Sequence, residues 1–165
     1  MADTQIEIRQ GYIPGAIGRV VELCSTYYHD NWGFGVVFEA KAAADLADFL
    51  CHYDEVRDGF WTVWMNGQIE GHISIDGRHA GDKGAHLRYF IVSDVIRGKG
   101  IGNELMKTAM AFCEKAGYKH VFLWTFEGLH AARHLYEKYG FRLMEQRIGT
   151  QWGKEVNEQR LELIR

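Results

Sequence analysis

Val92-Ser93-Asp94-Val95-Ile96-Arg97-Gly98-Lys99-Gly100-Ile101-Gly102 packs three glycines into its last five residues, between an apolar run and an amphipathic one. Glycine weakens helices and strands alike, so such a cluster marks backbone at positive φ or a ligand brought close to the main chain. The run before it, Ala85 to Val92 (A-H-L-R-Y-F-I-V), reads as a strand. After it, Leu105, Met106, Ala109, Met110, Phe112 and Cys113 recur at helical period from Asn103 to Ala116, and Gly117 ends the run as a C-terminal cap would. A glycine loop that feeds a helix start gathers free N–H groups at the positive end of the helix dipole, and Arg97 and Lys99 add cationic side chains. That makes a cradle for a phosphate or pyrophosphate; the plainer alternative is a tight turn with incidental charges.

Upstream of the loop, Phe60 to Met65 and Gln68 to Ile75 flank Asn66-Gly67, a two-residue hairpin turn that tolerates positive φ. Gly77 to Gly84 reads as a surface loop. Thr4 to Arg9 alternates with period two and predicts a first strand. Pro14 then opens a helix whose apolar stripe runs through Ile17, Val20, Val21, Cys24, Tyr27 and Tyr28. His29 to Gly35 mixes turn formers with aromatics and predicts an irregular link, followed by a second helix from Ala40 to Leu50. Downstream come a strand from His120 to Thr125, a helix from Leu129 to Tyr139 stopped by Gly140, and two last strands joined at Trp152-Gly153-Lys154. No repeat or linker divides the 165 residues, so the chain, 1–165, reads as a single α+β domain.

Composition narrows the function classes. A net charge of −3 supplies no global positive field for nucleic acid or an anionic membrane. Nowhere do roughly 18 apolar residues run together, and the N-terminus lacks a signal-peptide pattern; the expectation is a cytosolic protein. Cys24, Cys51 and Cys113 are far apart in helical segments and read as buried thiols. His130 and His134 stand at i, i+4, yet no acidic or cysteine partner completes a metal motif, so no metal is expected. The loop is also not a nucleotide triphosphatase loop, which needs Ser or Thr after Gly-Lys where Gly100 stands. Nor is it a dinucleotide loop, since it comes late, follows antiparallel-looking strands and carries G-x-G-x-G.

Arg97-Gly98-Lys99-Gly100-Ile101-Gly102 resembles the R/Q-x-x-G-x-G/A pyrophosphate loop of the GNAT N-acetyltransferase superfamily, and Leu135-Tyr136-Glu137-Lys138-Tyr139-Gly140-Phe141 resembles that family's L-Y-x-x-x-G-F helix end. Trp124-Thr125-Phe126, Trp152-Gly153 and Glu158-Gln159 further resemble acetyltransferase domains fused behind MarR-type DNA-binding domains in some bacteria; no such regulator half stands in this sequence. The resemblance implies a mixed, mostly antiparallel seven-stranded sheet, splayed between its fourth and fifth strands and flanked by about four helices, with acetyl-CoA entering the opening. It implies that the main chain of Phe90, Ile91 and Val92 meets the pantetheine arm, and that Arg97 and the amides of Gly98, Lys99, Gly100, Ile101 and Gly102 hold the pyrophosphate. It also implies an amine acceptor and a homodimer. Leu129 stands where many relatives carry Asn; Arg133, one turn on, is either a replacement phosphate contact or a solvated arginine.

Acetyl transfer needs a neutral amine, a donor for the developing oxyanion and an acid for the leaving thiolate. Tyr136, at the family's tyrosine position, is the candidate acid, or else only packs beneath the sulfur. Glu39, Glu70, His72 and His86 are candidate bases. Tyr27, Tyr28, Trp32, Phe34, Glu39, Trp124 and Trp152 are candidates for the acceptor side, against the alternative that the aromatics seal the core. The expected acceptor is a small amine or amino acid, with a protein amine open. An acetyl-CoA sensor with little catalysis, or a partner-binding domain with no affinity for CoA, are the competing readings.

Overall fold

Asn66 and Gly67 sit at φ 52° and 75°, the left-handed pair that a two-residue hairpin turn requires, and they join strands β2 (Gly59–Met65) and β3 (Gln68–Asp76). Around this hairpin the computed structural model, which describes residues 4–165, builds one seven-stranded sheet in the order β1-β2-β3-β4-β5-β7-β6. The remaining strands are β1 (Ile6–Gln10), β4 (Ala85–Val92), β5 (His120–Phe126), β6 (Arg142–Gly149) and β7 (Val156–Ile164). Every neighbouring pair is antiparallel except β4 with β5. Met1 to Asp3, on which the expectation about a signal peptide partly rests, lie outside the described residues.

Helices cover both faces, which is why β2 and β3 are buried along almost their whole length. On one face α1 (Ala16–Trp32) and α2 (Val36–Cys51) bury Val20, Cys24, Phe38, Leu46 and Phe49 against Phe60, Ile69 and Ile91. On the other, α3 (Ile101–Lys115) and α4 (His130–Lys138) bury Leu105, Met106, Ala109 and Tyr136 against Val63, Ile73, Ile75 and Leu123.

Three expectations are corrected. The link between the first helices is only Gly33 to Gly35, and Trp32 ends α1 rather than standing on irregular backbone. Gly33 at φ 72° closes α1 with bonds from its own N–H to His29 and from Phe34 to Tyr28, while Asp30 and Asn31 occupy the exposed helix face. Helix α2 starts one turn early, at Val36, with Val36 and Val37 exposed. Cys24 and Cys113 are buried, but Cys51, the last residue of α2, is exposed.

Strand β4 carries an irregularity where it pairs with β3. His72 faces Ile91 and Ser74 faces Arg88, so the single residue Ile73 opposes both Tyr89 and Phe90. Tyr89 takes φ 53°, costly for a bulky side chain, and the bulge places the consecutive residues Arg88 and Tyr89 toward the same helix, α2, where both reach Asp45. Fully buried His72 holds the bulge: its Nδ1–H donates to the Tyr89 carbonyl at 2.7 Å, and its Nε2 accepts from the Ser74 hydroxyl at 2.6 Å.

That tautomer requires a neutral ring, and burial lowers the His72 pKa to about 4 from 6.5. Above pH 6.5 the ring is neutral folded and unfolded, and its contribution to stability is complete. As pH falls from 6.5 toward 4 only the unfolded chain takes up the proton, which removes about 3 kcal/mol. Urea unfolding between pH 7 and 4.5 will therefore show a falling midpoint, and the slope will flatten in His72→Asn, which retains a donor but does not titrate.

Candidate functional site

Strands β4 and β5 pair only at Ala85 with Val121 and His86 with Phe122. Beyond His86 the two strands part, and the edge of β4 that should continue the ladder faces a cavity of about 600 Å³. Phe90, Ile91 and Val92 line it, and the β4 edge turned away from β3 lies open there to an extended ligand, with the Val92 carbonyl accepting from Arg97 Nη2 at 3.1 Å.

Where β4 ends, the glycine loop turns into α3. Gly98 and Gly100 adopt φ 80° and 77°, and Gly100 is the N-cap of α3 without any side-chain cap. The first bond back to the cap comes from Glu104, leaving the amides of Ile101, Gly102 and Asn103 unspent at the helix start. Gly98, Gly100, Ile101 and Gly102 line the cavity. Gly102 has no unusual φ; a Cβ there would meet the Phe90 ring at 3.4 Å and Leu135 at 3.5 Å, ordinary contact. Arg97 also lines the cavity, its guanidinium 5.1 Å from the Tyr27 ring and paired with Asp94. Lys99 is exposed beside the mouth without lining it. Arg133 does not line it either: Nε is committed to Glu137 at 2.7 Å and Nη1 to Gln159 at 3.0 Å.

A second helix start opens on the same space. Leu129 caps α4 with no side-chain bond, and Leu129, His130, Ala131 and Ala132 line the cavity. One turn further, Tyr136 is buried between Phe90 and Phe141, at ring distances of 6.0 and 6.1 Å, and lines the cavity. Burial pushes the phenol well above its ordinary pKa, so it stays protonated.

On the far side, the sequence-derived candidates separate. Tyr28 and Trp124 line the cavity; Trp32 packs edge-on against Phe126 at 5.3 Å behind the wall, and Glu39 is exposed on α2 away from it. Glu70 is buried in an ion pair with Arg19 at 3.3 Å, and His72 is spent on the bulge. Of the four candidate bases only His86 reaches the cavity, stacked on Phe122 at 4.4 Å. Burial, with Arg88 nearby, lowers its pKa to about 3, so it is neutral and a poor proton acceptor.

Sequence reasoning does not single out four of the lining residues: Lys41, Asp45, Arg88 and Tyr89. Asp45 Oδ2 accepts from the Tyr89 hydroxyl at 2.5 Å and from Lys41 Nζ at 3.0 Å, and forms an ion pair with Arg88 Nη2 at 2.8 Å. Burial alone would raise this carboxyl, but the Tyr89 hydrogen bond, the Arg88 charge and Lys41 outweigh it and hold it below the usual carboxylate range. An arginine in a strand that is otherwise largely apolar is the signal that could have found them.

A model of the acetyltransferase (GNAT) family matches residues 20–141. The chain belongs to that family. It is 30% identical to an N-acetylaspartate synthetase of Danio rerio over 117 residues, 70% of this chain and 41% of the relative. It is 29% identical to N-acetyltransferase 8F1 of Rattus norvegicus over 122 residues, 72% of this chain and 55% of the relative. The chain thus matches about half the length of these curated relatives. Among solved structures, a GNAT-family acetyltransferase from Staphylococcus aureus Mu50 superposes with TM-score 0.78 at 18% identity, covering 97% of this chain and 99% of that one. An acetyltransferase from Salmonella typhimurium, solved with its cofactor acetyl-CoA, gives 0.72 at 15%, covering 98% and 94%. At these identities the likeness is one of fold, and it includes the seven-stranded mixed sheet of this GNAT chain.

The glycines make separable predictions in thermal unfolding of the ligand-free protein. Gly100→Ala, forced into the left-handed region, will lose about 1–2 kcal/mol. Gly102→Ala, at ordinary helical backbone in the first turn of α3, will be neutral or gain up to about 1 kcal/mol.

Proposed function

We propose that this protein is an acetyl-CoA-dependent N-acetyltransferase acting on a small amine or an amino acid. The observation that carries the reading is one cavity, opened by the parting of β4 and β5, that joins two uncapped helix starts to a buried protonated tyrosine. The Salmonella typhimurium structure holding acetyl-CoA supports it, as do the acetyl-transfer names of the curated relatives, one of which names an acetylated amino acid.

In this reading the amides of Gly98 to Gly102, with Arg97, receive the pyrophosphate, because unspent helix-start N–H groups and a cation favour a dianionic group. The edge of β4 turned away from β3, along Phe90 to Val92, receives the pantetheine amides as a further strand would. Acetyl-CoA, when bound, supplies the thioester that the acceptor amine attacks. In the same reading a main-chain N–H near the end of β4 stabilises the carbonyl oxygen as charge develops there. Tyr136 donates its hydroxyl proton to the departing sulfur; the apolar walls that raise its pKa also disfavour a free thiolate, so the transfer remains matched. None of the four sequence-derived bases both reaches the cavity and holds a proton at neutral pH, so the amine enters neutral, and the proton it sheds as the amide forms passes through water to restore the Tyr136 hydroxyl.

Thiol release on an amine panel, with calorimetry for acetyl-CoA, tests this. Tyr136→Phe will lower kcat by about 100-fold or more, while the affinity for acetyl-CoA stays within about twofold. An unchanged kcat removes Tyr136 from the acid role, and tight binding with no turnover on any amine by the parent protein marks a sensor instead.

A further inference from the structure

The acceptor end of the cavity is a constructed polar site in otherwise aromatic walls. The bulge at Tyr89 turns Arg88 and Tyr89 onto one face, and His86, two residues before Arg88, lies on the same face of β4. From α2, Lys41 and Asp45 meet them. Asp45 fixes the cluster, since one of its oxygens accepts from Tyr89 and Lys41 and is ion-paired with Arg88.

Among the side chains that line this end of the cavity the charges do not cancel. Lys41 and Arg88 bring two positive charges to the wall, and Asp45 brings one negative charge that is already shared among three partners. A second carboxylate, Asp76, lies behind the wall, where Arg78 holds it at 3.0 Å and Arg88 Nη1 is ion-paired with it at 3.6 Å. The Lys41 ammonium has three N–H groups and the Arg88 guanidinium five, so each retains donors beyond those the structure engages. A cationic acceptor would have to sit beside both positive side chains, whereas an anion neutralises the excess. The planar fork of Arg88 suits a carboxylate in particular, and the imidazole of His86 can add one more N–H.

On the acetyltransferase reading, we propose that the acceptor is an amine that also carries a carboxylate, and that Arg88 and Lys41 receive that carboxylate while the amine faces the opening of the sheet. The pair therefore selects amino acids and amino-acid-like amines over simple amines. Arg88 and Lys41 are specificity residues for the acceptor and take no part in holding the cofactor, whose anionic groups belong to the loop at the other end.

The test is steady-state acetylation of L-aspartate, L-leucine and L-phenylalanine beside the carboxylate-free amines isopentylamine and phenethylamine, with acetyl-CoA affinity measured for each protein. The parent will favour leucine and phenylalanine over their decarboxylated partners by about 100-fold in kcat/KM, the worth of one or two charge-assisted hydrogen bonds. Arg88→Met will raise KM for the amino acids by about 10-fold or more with a much smaller change in kcat, and will collapse the preference; Arg88→Lys will restore part of it. Lys41→Met, on a partly exposed helix position, gives the same reading if Arg88→Met fails to fold. A parent that prefers the carboxylate-free amines, or acetylates no carboxylate-bearing amine although acetyl-CoA binds, overturns this inference alone. So does a preference unmoved in both Lys41→Met and a folded Arg88→Met. Failure of the parent to bind acetyl-CoA overturns the acetyltransferase reading beneath it.

Discussion

The architecture turns on how little of β4 is paired with β5. Two residue pairs hold the strands together before they diverge, and every backbone group of β4 beyond them on that edge must find a partner elsewhere. An unpaired central edge inside a sheet is a costly arrangement unless a ligand or water completes it. The remaining structure keeps the gap open and lined: Tyr28, Phe126 and Trp152 on the acceptor side, Phe90 and Tyr136 on the other. Because β3 and β7 flank the two strands with long antiparallel ladders, the sheet survives the split.

Strand β4 serves two ends of one reaction path. Its last residues lead to the glycine loop, where α3 begins without a cap, while its middle carries the bulge that presents Arg88 and Tyr89 to Asp45. His72 links these roles, since the carbonyl it binds belongs to the residue with positive φ. The buried imidazole is thus a structural device, although a histidine between two strands near a cavity reads, from sequence, as a base.

Local chemistry makes much of this legible in advance. Asn66-Gly67 demands a hairpin, the loop from Gly98 to Gly102 demands a strand-to-helix passage with free amides, and period-two and period-3.6 patterns set the order of elements. What escapes depends on partners distant in sequence. Nothing in A-H-L-R-Y-F-I-V marks Tyr89 as the bulge, because the extra residue is defined only against Ile73. Lys41 and Asp45, four apart on a helix, look like an ordinary surface pair until Arg88 joins them. Trp32 and Trp124 are indistinguishable as aromatics, yet one braces Phe126 from behind and the other lines the opening.

The proposed chemistry stands or falls on acetyl-CoA lying in the opening between β4 and β5. Titrating the ¹⁵N-labelled protein with acetyl-CoA and following its amide resonances tests this most directly. Saturable shifts concentrated on Phe90 to Val92, Gly98 to Gly102 and the start of α4 at His130 to Ala132 are the predicted result. An unperturbed spectrum, or shifts gathered away from β4 and the two helix starts, would contradict it.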